Sequence, residues 1–131
     1  MSPVRQDQAL RLLQRLELTR TGRLSTQVLA EFINVCTRTQ QPLYTYPQAI
    51  TQAERLIQIF PVFDLTPLIV LDAARGARDY SLANYDAQIW ATARLNQTPV
   101  IFSEDFQHGQ LLEGIQFINP FLPAFDLNAW R

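Results

Sequence analysis

Tyr85-Asp86-Ala87-Gln88-Ile89-Trp90-Ala91-Thr92-Ala93-Arg94-Leu95-Asn96-Gln97-Thr98-Pro99-Val100-Ile101-Phe102-Ser103-Glu104-Asp105 joins a helix signal to a strand signal and sets a carboxylate beside each. Ile89, Trp90, Ala93 and Arg94 recur at helical steps between Ala87 and Asn96, which puts Asp86 in a helix's first turn. Asn96-Gln97-Thr98-Pro99 breaks the run, and Val100-Ile101-Phe102 is a short, apolar, β-branched strand. Asp105 hangs off that strand's carboxyl end, the edge of an open α/β sheet where ligands collect. Taken alone, Asp86 reads sooner as a helix-start residue than as a ligand, because free N–H groups and the macrodipole attract a carboxylate there. Ser103-Glu104-Asp105 is, alone, equally a polar loop. A helix-start acid followed by a strand-end acid is more specific than either part.

Upstream, Arg5 to Leu18 sets Leu10, Leu12, Leu13 and Leu16 among Arg, Gln and Glu, as an amphipathic packing helix does. Thr21-Gly22 is a turn, Arg23-Leu24-Ser25 a very short strand, and Ser25 or Thr26 caps a helix to about Arg38. Val28, Phe32, Val35 and Cys36 form that helix's core stripe. Glu31 falls at the stripe's edge, either as a carboxylate that snorkels or pairs with an Arg, or as a metal ligand facing the sheet. Gln40 to Tyr46 is a loop, and Pro47 opens a helix to Phe60 with Ala49, Ile50, Ala53, Leu56, Ile57 and Phe60 inward.

Pro61 to Leu65 is a strand, and Thr66-Pro67 starts a helix to about Tyr80. Ser81 or Asn84 caps the Asp86 helix, and Gln116-Phe117-Ile118 is the last strand. Strands alternating with helices predict an α/β fold with a parallel sheet in a three-layer domain, residues 1–131 forming one unit. Trp90, Phe102, Phe106 and Phe117 read as core sooner than as base-stacking groups, and His108, in a turn, as structural.

At 131 residues, 47% hydrophobic and 18% charged, the chain has the balance of an ordinary globular domain with a sizeable core. The formal charge of −1 supplies no whole-chain field toward nucleic acid or anionic membrane, so any nucleic-acid contact is local. All 11 basic residues are Arg, which suits bidentate phosphate contacts but equally reflects coding bias. The single Cys36 excludes an internal disulfide and a multi-cysteine zinc site, and fits a cytoplasmic protein. No apolar run approaches a membrane span.

Leu82-x-x-Tyr85-Asp86-Ala87, Phe102-Ser103-Glu104-Asp105-Phe106-Gln107-His108-Gly109, Glu113-Gly114-Ile115 and Ile118-Asn119-Pro120-Phe121 resemble the C-terminal half of PIN-domain proteins of the bacterial VapC toxin type. Ser25-Thr26-Gln27-Val28-Leu29-x-Glu31-Phe32 is similar to the family's second acidic motif, so the resemblance spans most of residues 5 to 121. It implies a PIN-like fold and a metal-dependent endoribonuclease, the toxin of a toxin–antitoxin pair. Carried over by motif, Glu31, Asp86 and Asp105 hold Mg²⁺ or Mn²⁺, with Ser103 as the hydroxyl of the last motif. The implied partners are an RNA substrate, a cognate antitoxin and a second copy in a homodimer, with no membrane.

One piece departs from the family's pattern. Its members begin with an apolar strand ending in Asp-Thr-Asn or similar, whereas only Met1-Ser2-Pro3-Val4 precedes the first helix here, so the N-terminal strand and its acid are missing. Phe125-Asp126-Leu127-Asn128 faintly resembles that motif but lacks an apolar lead-in and reads as a tail. Three readings stay open: an active toxin, a shortened and catalytically impaired PIN-like binding protein, or a start assigned too late. Fewer anionic oxygens predict weaker Mg²⁺ binding and slower cleavage than a complete site would give.

Overall fold

Hydroxyls set where three of the helices begin. In the computed structural model, which describes residues 3–38 and 42–129, Ser25 Oγ accepts from Val28 N–H at 3.1 Å and Thr66 Oγ1 from Ile69 N–H at 3.2 Å. Thr45 forms a reciprocal box, its Oγ1 accepting from Gln48 N–H while Gln48 Oε1 accepts from Thr45 N–H. The helices are α1 (Pro3–Thr19), α2 (Thr26–Arg38), α3 (Tyr46–Ile59), α4 (Pro67–Tyr80) and α5 (Asn84–Leu95). The strands are β1 (Leu24–Ser25), β2 (Val62–Phe63), β3 (Val100–Phe102), β4 (Leu111–Leu112) and β5 (Ile115–Ile118). Residues 40 and 41 of the expected Gln40 to Tyr46 loop lie outside the described residues.

The expected parallel pairing is present, β1 with β2 and β3 with β5. Two features were not expected. Among the described residues the strands form two separate sheets, β1-β2 and β3-β5-β4, with no hydrogen-bonded ladder between them. Leu111–Leu112 is also a strand, antiparallel to β5. It turns back through Glu113 and Gly114, both at positive φ (49° and 84°), the left-handed pair a two-residue hairpin demands.

The core is built around Trp90 and Phe117, both fully buried. Trp90 lies against Gly76 of α4, where a Cβ would come within 2.5 Å of Trp90 Cζ3, so that glycine sets how closely α4 and α5 pack. Phe106 stacks on Phe117 with ring centroids 3.9 Å apart, and Phe102 meets Phe125 edge-on. Around the Trp90 rim, Asp72 accepts from both Arg94 (2.7 Å) and Arg75 (3.0 Å), and Arg75 reaches on to Glu113 (2.8 Å), which also accepts from Tyr80. This clip ties α4, α5 and the β4–β5 turn together.

Some expected core positions point outward. Val35 is 65% exposed and Cys36 is buried, so the α2 stripe is turned toward the cysteine. On α3, Ala49 and Ala53 are buried while Ile50 and Ile57 are about half exposed. The small side chains make the close approach, and the stripe is narrower than hydrophobicity suggests. Leu10 is also exposed, and Leu12 is the buried leucine of α1. The Asp86 helix has Ala83 at its cap position with no side-chain bond; Ser81 instead ends α4 in the left-handed region (φ 57°).

A candidate active site at the carboxyl ends of the strands

Asp86 occupies the first turn of α5 and Asp105 lies three residues past β3. Ser103 Oγ accepts from Asp105 N–H at 3.1 Å, the local turn that fixes how the chain leaves the strand. On the other sheet, the chain leaves β1 directly into α2, where Gln27 Nε2 donates to Tyr85 O at 3.3 Å. That bond stitches the start of α2 to the start of α5, so the carboxyl ends of β1 and β3 face the same region.

Asp86, Ser103, Glu104, Asp105 and Glu31 all line one cavity of about 550 Å³. Its inner wall is apolar: Leu12, Leu13 and Leu16 from α1, Val28 from α2, Ile89 and Ala93 from α5, and Val100 and Ile101 from β3. The acids therefore gather over an apolar interior. Burial pushes the Asp86 carboxyl above its ordinary value, and the negative charge of Asp105 pushes the same way. The charge of Asp105 thus disfavours a second negative charge at Asp86, and a cation between them would relieve it.

Of the residues expected to act together, Asp86 and Asp105 are brought into electrostatic contact, with Ser103 beside them. Glu31 reaches the same cavity from α2 but is exposed, and no group of three His, Cys, Asp or Glu spaced to hold a metal occurs among the described residues. The donor chemistry fits a hard divalent ion, being all oxygen; the spacing supplies a pair, not a closed ring. Asp126 is exposed, bonds its own Asn128 N–H at 3.0 Å, and does not reach the cavity. His108 Nδ1 accepts from Asn119 N–H at 3.0 Å, holding the loop after β3 to the end of β5. Gln27 was missed: its role depends on a bond across 58 residues, and a Gln in a first helical turn carries no such signal.

Among the described residues no helix is long and apolar enough to cross a membrane. Neither curated proteins nor solved structures gave a match. A family model described as PIN domain matches residues 2–111, most of the chain. PIN domains are generally nucleases and generally use divalent metals. On the extent of that match, the chain belongs to the PIN-domain family.

Proposed function

We propose that this chain is a VapC-type toxin, an endoribonuclease that hydrolyses RNA phosphodiesters at the Asp86–Asp105 cavity. The observation that carries this reading is that Asp86, in the first turn of α5, and Asp105, just past β3, line one cavity, where the charge of Asp105 disfavours that of Asp86. Asp86 and Asp105 would hold Mg²⁺ or Mn²⁺, with Glu31 as a third carboxylate across the mouth. A divalent ion there supplies charge neutralisation of the phosphodiester and a water of lowered pKa. The chain's own groups do the placing: Ser103 orients the Asp105 backbone, Gln27 ties the Asp86 end of α5 to α2, and the buried face of α5 seats that helix in the core.

The remaining proposals follow from this one. An antitoxin covers the acidic mouth. A second copy pairs through apolar surface left on α3 and α4, where Ile50, Ile57, Leu68 and Leu71 are exposed. The protein works in the cytoplasm, for which its lone, buried Cys36 is suited. Light scattering at tens of micromolar should give the mass of a dimer; a monomer would refute the pairing.

A second reading is favoured by the split sheet and by the lack of a three-acid group among the described residues: a PIN-like protein that binds without cutting. A fluorogenic RNA assay separates the two. The nuclease reading expects slow cleavage that rises with Mn²⁺ or Mg²⁺, stops with chelator, and is lost in Asp86→Ala and Asp105→Ala variants of unchanged melting temperature. Chelator-resistant cleavage would refute the metal–carboxylate mechanism, and RNA binding without cleavage would establish the second reading.

A further inference from the structure

Asp105 rides on an arch of the chain, residues 103–110, that leaves β3, crosses the carboxyl end of β5 and returns as β4; β5 is the middle strand of that sheet. Both feet of the arch stand on β5. On the β3 side, Ser103 N–H donates to Ile118 O at 2.9 Å. On the β4 side, Gly109 N–H donates to Phe117 O (2.7 Å) and Phe117 N–H to Gln110 O (2.9 Å). Gln110 N–H closes back on Gln107 O at 3.0 Å, with φ positive at Gly109 (81°) and not at His108, which makes a type II turn with His108 at its corner.

In an antiparallel ladder every second residue of a strand addresses the same neighbour. Phe117 makes its pair of bonds toward β4, so Asn119 N–H is the next donor of β5 to point that way. The main chain has already turned off there, and the imidazole takes its place: His108 Nδ1 accepts from Asn119 N–H at 3.0 Å. The side chain acts as one more rung where the backbone supplies none.

Asn119 N–H and Ile118 O belong to one peptide unit, and in a trans peptide the two groups point opposite ways. That peptide is therefore clamped from β3 by Ser103 and from the β4 side by His108. Asp105 lies between the clamps, its N–H on Ser103 Oγ and its neighbour Phe106 stacked on Phe117. The span of the arch sets where the Asp105 carboxylate comes over the cavity it lines.

We propose that His108 is a positioning residue for Asp105. It stands outside the residues that line the cavity and acts through the arch. Its Nδ1 accepts only as a bare nitrogen, so the working form of the ring is the neutral tautomer with the proton on Nε2. A ring without that nitrogen would fill the same place and release one foot of the arch. The consequence for a cation at Asp86 and Asp105 rests on the nuclease reading; the arch itself does not.

Amide exchange by NMR and Mn²⁺ titration are compared in the chain, in His108→Phe, which keeps a ring without the acceptor, and in His108→Asn, whose Oδ1 stands where Nδ1 stood. His108→Phe should speed exchange at Asn119 and Asp105 by on the order of fivefold, the share of one hydrogen bond, and leave the buried Ile115 of β5 unchanged. The Mn²⁺ needed to half-broaden the Asp86 amide should rise by a similar factor, and His108→Asn should return both readouts to the parent's values. Multiple-bond proton–nitrogen spectra of the imidazole should place its proton on Nε2. Unchanged exchange at Asp105 in His108→Phe, equal acceleration in both variants, acceleration that reaches Ile115, or a proton on Nδ1 at neutral pH would overturn the proposal. So would Mn²⁺ binding that is unaltered by a loosened arch. If the exchange pattern holds while the parent chain takes up no Mn²⁺, the positioning role stands and the nuclease reading of the site fails.

Discussion

Replacing Asp72 by Asn tests the clip that fixes α5 and therefore Asp86. Asp72 takes a two-pronged contact from Arg94, Nε to Oδ2 and Nη2 to Oδ1, both at 2.7 Å, and two more bonds from Arg75 at about 3 Å. Its side chain is only 10% exposed. An Asn of the same shape offers one acceptor, turns an NH₂ toward guanidinium donors, and leaves two neighbouring cations with less to oppose them. Breaking such a part-buried, charge-assisted set costs about 2–3 kcal/mol, below a fully buried pair because the two Arg side chains keep about a third of their surface in water. With an unfolding entropy of about 2.1 cal/mol/K per residue, that is a fall in melting temperature of roughly 7–11 °C at neutral pH.

Acid should shrink the difference. The hydrogen bond from Arg94 holds the Asp72 carboxyl below its ordinary 3.8, and Arg75 adds to the effect. A depressed folded-state pKa stabilises fully above the ordinary value and is lost as pH falls through the folded one. The native chain should therefore lose stability below about pH 4 more steeply than Asp72→Asn. Thermal melts by circular dichroism from pH 7 to pH 3 measure this. A shift at neutral pH under about 2 °C, or a shift that stays constant into acid, would refute the reasoning.

Gly76→Ala should destabilise by about 1–3 kcal/mol by overpacking, since its Cβ meets the Trp90 ring at 2.5 Å; urea melts and a shifted tryptophan emission report it. Thr45→Ala removes one half of the α3 capping box and should cost about 1 kcal/mol, read as a lower urea midpoint with unchanged slope. Gly114→Ala puts a Cβ at φ 84° in the hairpin turn and should cost about 1–2 kcal/mol, with the loss seen first as faster amide exchange in β4.

The helices were legible because their signals are local. Thr66-Pro67 and Pro47 announce starts, and three- and four-residue apolar spacing announces the runs between. Asp86 and Asp105 were legible for the same reason: each is placed by a helix start or a strand end within a few residues. What was not legible is set by long-range packing. Val35, Ile50 and Ile57 are as hydrophobic as their buried neighbours, and only the close approach through Ala49, Ala53 and Cys36 leaves them outside. The Asp72–Arg94 and Arg75–Glu113 pairs join residues 22 and 38 apart, which no spacing rule encodes. β4 was hidden because Leu111–Leu112 is too short to show alternation; the Glu113-Gly114 turn was its only trace.

The central claim is that Asp86 and Asp105 form one divalent-cation site, and Mn²⁺ titration of the isotopically labelled chain tests it most directly. Paramagnetic broadening should appear first at the amides of Asp86, Ser103 and Asp105, extend to Glu31 on α2, and disappear in Asp105→Asn while that variant keeps its native spectrum. Broadening centred elsewhere, such as at the exposed Asp7 or Asp126, or broadening at Asp86 that survives Asp105→Asn, would contradict the account.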